Sequence, residues 1–145
     1  MTTPRRLLVA TLALPLVLAV LAACSTTPAG ELAPGDCLNA ENLRSGDIVG
    51  RVRVLECSEN HDTEVISAFD VDGDAYPGAD QLNEIASRRC TADFREYVGV
   101  DYLLSDLELV PLIPSEQGWG AGDHRIICTA TAPEPITGSV GGTGR

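Results

Sequence analysis

The chain has 145 residues, 44% of them hydrophobic, and its 21 acidic residues against ten basic ones give a formal net charge of −11. All ten basic residues are arginines, and like-charge repulsion excludes nucleic acid and anionic lipid head groups as partners of such a surface. The length suits one domain with a modest core and is too short for two.

Taken in order, Arg5 and Arg6 precede an almost wholly apolar run over residues 7–20, the order of a secretory signal peptide. The run is shorter than the roughly 20 residues that cross a bilayer, and Pro15 interrupts it, so cleavage is expected rather than a retained span. It ends in Leu21, Ala22, Ala23 and Cys24, which resemble a bacterial lipobox. That resemblance implies diacylglycerol on the Cys24 thiol, removal of residues 1–23 and acylation of the new amino group. The product is expected on the extracytoplasmic face of the cell membrane, held there by more than one acyl chain. Loss of Arg5 and Arg6 leaves eight arginines against 21 acids.

Residues 24–35 are rich in Ser, Thr, Pro and Gly and read as a lipid-anchored tether, and glycine-rich residues 137–145 read as a flexible tail. The expected folded domain is therefore 36–136. With Cys24 set aside for lipid, Cys37, Cys57, Cys90 and Cys128 remain, an even number that implies two disulfides in an oxidising compartment, with three connectivities open. No two of them form a C-x2-C pair, so zinc is the weaker reading.

Arg51, Val52, Arg53 and Val54 alternate as in a strand with one wet face, and residues 64–71, rich in Val, Ile and Phe, form a second strand joined to it as a hairpin across a polar turn. Over residues 80–98, Leu82, Ile85, Ala86, Cys90, Phe94, Tyr97 and Val98 recur every three or four positions, the apolar stripe of an amphipathic helix. Asp80 is its expected cap and Gly99 its end, with Glu84–Arg88 and Arg89–Asp93 as surface pairs. Strands are expected over 103–113 and 124–130, the latter with Ile126, Cys128 and Ala130 on one face. An inward Cys128 meets Cys90 on the helix, which leaves Cys37 for Cys57. The fold class is α+β: a small antiparallel sheet covered by one amphipathic helix, with two disulfides.

Several of these residues, in this order, are similar to the actinobacterial septum formation family. They are Gly35-Asp36-Cys37, Glu56-Cys57 leading into His61-Asp62-Thr63-Glu64-Val65, Tyr76-Pro77-Gly78, Cys90 with Phe94 and Tyr97, and Trp119 with Gly122-Asp123 and Cys128. Thr137-Gly138-Ser139 close the pattern, and Gly122-Asp123-His124-Arg125 departs from the family's usual Gly-Asp-Arg by one inserted residue. The resemblance implies an extracytoplasmic envelope protein with a link to cell division.

No catalytic constellation stands out, and no cofactor or metal is expected. His61-Asp62 suggests a metal pair or a base with its orienting carboxylate, but adjacent strand residues point apart and no Ser or Cys nucleophile motif accompanies them. Asp70, Asp72 and Asp74 open like a calcium loop, yet Ala75 and Gln81 occupy the positions that need Gly and Glu. Trp119, between Gly118 and Gly120, is either an interface anchor or a plug for the open end of the sheet, and Tyr76 faces the same choice. The candidate binding residues are Trp119, Tyr76 and His61. The expected function is a non-catalytic binding or scaffolding module whose partner is a cell-envelope or division protein. The alternative is a small hydrolase of wall or lipid substrates that uses His61, Asp62 or nearby carboxylates.

Overall fold

Two long strands carry the architecture because both of their faces meet apolar neighbours. The structure, a computed structural model, describes residues 26–43 and 50–145. The expected signal peptide and the expected lipidation site, Cys24, lie outside the described residues. β1 (Thr26–Pro28) pairs with β3 (Arg51–Arg53) as a small antiparallel ribbon. β2 (Cys37–Leu38), β4 (His61–Asp70), β5 (Glu108–Leu112) and β6 (Arg125–Ile136) form a four-stranded antiparallel sheet in the order β2-β4-β6-β5.

The helix α1 (Ala79–Val98) covers one face of this sheet, burying Leu82, Ala86, Phe94 and Val98 against Ile66, Ile126 and Ala130. The opposite face buries Val65 and Ile127 against Leu32 and Val52 of the ribbon side. The expected alternation of β6 is therefore observed, with Ile126, Cys128 and Ala130 toward the helix and Ile127 away from it. β4 keeps both cores supplied only through a bulge: Val65 lies opposite Thr129 and Ser67 opposite Cys128, so Ile66 is the extra residue. The bulge shifts the alternation by one place and turns Phe69 toward the helix.

The disulfides join Cys37 to Cys57 and Cys90 to Cys128, the pairing expected from the sequence. The second ties the middle of α1 to β6 inside the main core. The helix ends at Gly99, in the left-handed region at φ 91°, and carries the expected Glu84–Arg88 and Arg89–Asp93 pairs. At its start Gly78, not Asp80, is the cap, with φ 96° after Pro77; Asp80 instead places its charge in the first turn, where the helix dipole favours it.

Four other expectations are corrected. β3 does not form a hairpin with β4, because both edges of β4 are taken by β2 and β6. The strand expected over 103–113 shrinks to β5, since Tyr102–Leu104 form a 3-10 turn and the Ser105 hydroxyl accepts the Leu107 N–H at 3.1 Å. The tether is not free of the domain: Thr26–Pro28 pair with β3, and Leu32 is fully buried. The tail over 137–145 is held rather than loose.

Glu64 holds that tail. Its carboxylate, fully buried, accepts hydrogen bonds from the Tyr97 hydroxyl at 2.5 Å, the Ser139 hydroxyl at 2.6 Å and the Val140 N–H at 2.6 Å. Val140 is buried in the main core, and the Gly142 and Gly144 N–H groups bond the Tyr97 and Val98 carbonyls at 2.8 and 2.9 Å. Glycine at 141 permits this approach, because a Cβ there would stand 3.3 Å from the Tyr97 ring. The tail ends with Arg145 paired to Asp106 at 2.9 Å.

Deleting residues 139–145 strips the carboxylate of two donors and removes a buried valine. Urea unfolding with the disulfides intact is expected to show a loss of at least about 3 kcal/mol; a loose tail would leave stability within about 0.5 kcal/mol. Burial, followed by the hydrogen bond to Glu64, raises the Tyr97 phenol above its ordinary value near 10. A raised folded value means that the contribution is fully present below about pH 10 and is lost as the pH rises through the folded value. The stability difference between the native protein and Tyr97→Phe is therefore expected to be constant from pH 7 to 9 and to shrink above about pH 10.

Candidate functional site

The short helix α2 (Glu116–Gly120) separates the core from a surface cleft. Ser115 caps it, its hydroxyl accepting the Gly118 N–H at 3.0 Å. Its inner side carries Trp119, which is 3% exposed. The indole stacks on His124 with ring centres 4.0 Å apart, meets Tyr76 edge-on at 6.0 Å and donates from Nε1 to the Asp74 carbonyl at 3.3 Å. Trp119 thus closes the end of the core, and Tyr76 packs beside it as part of the same plug. Neither stands free as an exposed anchor.

His61 is far from this group, at the opposite end of β4, and is also fully buried. Its Nδ1 faces the Glu59 carbonyl at 2.9 Å, so it has no bond to Asp62. The Asp62 carboxylate is occupied by the Ala40 N–H at 2.6 Å and the Thr63 hydroxyl at 2.8 Å. The two residues do not make a base with its orienting acid. Of the three candidate binding residues, the structure brings Trp119 and Tyr76 together and leaves His61 apart, beside the Cys37–Cys57 disulfide.

On the outer side of α2 the chain opens a cleft of about 490 Å³. That volume falls within the 300–1,000 Å³ typical of ligand sites. One wall is the end of β5 and the link to α2, with Leu112, Ile113 and Pro114; the facing wall is the Ala29–Gly30 turn that follows β1. Asp123 and Arg125 supply the charge on the floor. Asp123 Oδ1 accepts the Arg125 N–H at 3.2 Å, which fixes the carboxylate near Gly30 and Gly118. Arg125 Nε is buried and, among the described residues, has no hydrogen-bond partner. The cleft runs on into a more polar shelf that includes Glu31, Asp70 and His124. Its chemistry is that of an apolar trough with one guanidinium and one carboxylate among its lining residues.

The two charged residues of the trough, Asp123 and Arg125, belong to the stretch Gly122-Asp123-His124-Arg125. The septum formation profile matches residues 34–145, which include that stretch, all four paired cysteines and the bound tail. The chain belongs to the septum formation family. No curated protein and no solved structure matches it. Among the described residues, no helix is long and apolar enough to cross a membrane.

The sequence alone did not mark Asp123 and Arg125 as residues of this cleft, although both stand in the Gly122-Asp123-His124-Arg125 motif. The signal that was absent is the ribbon, whose turn at Ala29 makes a flat stretch of β6 into a trough. Trp119→Ala is expected to destabilise the protein by about 3–5 kcal/mol in urea unfolding, the cost of an emptied aromatic site. A freely exposed anchor would change stability by no more than about 0.5 kcal/mol.

Proposed function

We propose that this septum-formation protein is a lipid-anchored, extracytoplasmic binding module linked to cell division or envelope maintenance. Its cleft takes an apolar polypeptide segment that carries a carboxylate. The sequence Leu21-Ala22-Ala23-Cys24 after an apolar leader supports the anchor, and family membership supports the link to division. The observation that carries the reading is Arg125 at the base of an apolar cleft, its Nε buried without a partner. A buried guanidinium donor without an acceptor is costly. A carboxylate on an incoming chain supplies an acceptor to the guanidinium of Arg125, which lines the cleft, while the proline and leucine walls desolvate the segment around it.

Crosslinking in intact cells, followed by affinity capture, tests this directly. Ala121 is exposed at the rim of the cleft, so Ala121→Trp fills it without disturbing the core. Recovery of the partners captured by the native protein is expected to fall at least about tenfold with Ala121→Trp or Arg125→Gln. It is expected to stay unchanged with Leu103→Ser, at a residue 91% exposed and outside the cleft. Cys24→Ala is expected to move the protein out of the membrane fraction. Equal recovery with all three cleft and control variants overturns the docking site, and retention of Cys24→Ala on the membrane overturns the anchor.

A further inference from the structure

His61 presents a separate problem. It is fully buried, and among the described residues its Nε2 has no hydrogen-bond partner, although a buried imidazole nitrogen normally has one. A carbonyl oxygen only accepts, so the Nδ1 contact with the Glu59 carbonyl means that Nδ1 bears the proton and Nε2 offers a bare lone pair. This is the arrangement found in metal-binding histidines, where the far nitrogen is held by a backbone carbonyl and the near one is left to ligate. A ring nitrogen of His61 and the sulfurs of Cys37 and Cys57 all lie within 4.8 Å of one another.

We propose that reduction of the Cys37–Cys57 disulfide converts this cluster into a three-ligand site for a thiophilic divalent cation, of which Zn²⁺ is the best fit. The disulfide takes up two electrons and two protons from two equivalents of a thiol reductant, which leave as its own disulfide. On coordination the two new thiols release their protons to solvent, and the ion takes two thiolates and the neutral imidazole. Zinc–sulfur bonds of about 2.3 Å in tetrahedral array need sulfurs about 3.7 Å apart, a separation reached by rotation of the two cysteine side chains. The charge balance selects the cation. Cys37 and His61 are both fully buried, and two thiolates with a neutral imidazole cancel a divalent charge, whereas a monovalent ion would leave a buried negative charge. Cys57 is the half-exposed member, and the fourth coordination position opens on its side to water. The sequence spacing hides this site: the sulfurs belong to residues 20 apart and converge only because β2 bridges to Leu55.

The test uses the native full-length chain, reduced with a phosphine under anaerobic conditions and then treated with iodoacetamide with and without one equivalent of Zn²⁺. Peptide mass mapping reads the alkylation rate of each cysteine. Zinc is expected to slow the modification of Cys37 and Cys57 at least about tenfold and to leave Cys90 and Cys128 unchanged. The protection is expected to drop to less than about twofold in His61→Gln. Absence of protection in the native protein overturns the proposal. So does equal protection of all four cysteines, which marks nonspecific binding to an opened chain. Should His61→Gln fail to fold, the cobalt(II) spectrum of the reduced native protein decides. Sulfur-to-cobalt charge-transfer bands of two-thiolate intensity with tetrahedral d–d bands sustain the site, and an octahedral spectrum without them overturns it.

Discussion

The structure depends on a carboxylate placed where a strand interior ordinarily has an apolar residue. Glu64 sits in the middle of β4, fully buried, and the hydrogen bonds that hold it come from neutral donors on the helix end and the tail. Burying a charge on neutral donors alone is costly unless the donors are close and well aligned, so all of them must be in place together. The consequence is cooperative. β4, the last turns of α1 and residues 138–144 form one unit, and the Gly138 N–H, 2.5 Å from the Cys57 carbonyl, ties that unit to the first disulfide.

The parts of the fold legible in the sequence are those in which one local rule acted alone. The three-and-four spacing from Leu82 to Val98 wrote the helix, and the inward phase of Cys128 against Cys90 wrote the second disulfide. What escaped was decided by partners distant in the chain. The N-terminal segment looked too polar to fold, yet one fully buried residue, Leu32, with three paired residues of β1, is enough to dock it. The tail looked loose because of its glycines, whereas those glycines let backbone lie directly on Tyr97 and Val98. Glu64 itself was visible as an acid within an apolar run, a signal that points to burial only once the strand has neighbours on both sides.

The sheet edges limit how a partner approaches. β2 is only two residues long, and β5, on the other edge, contains Pro111, which has no N–H to offer an incoming strand. Extension of the sheet by another chain is thus disfavoured at both ends. The partner we propose is then left to side chains and to the trough between α2 and the ribbon, whose lining comes from the turn after β1, the end of β5, α2 and the start of β6.

The docking of β1 also sets a height. Thr26 is already paired with Arg53, and in the sequence only Ser25 stands between Thr26 and Cys24. At about 3.5 Å per residue, a lipid on Cys24 leaves the body about 7 Å of play above the bilayer, in place of the few tens of ångströms that a free ten-residue tether allows. The turn at Ala29 and Gly30, one wall of the trough, lies a few residues further along. With the anchor we propose, such a domain is confined to a thin layer at the membrane surface, and the segments within its reach are those that emerge from the bilayer beside it.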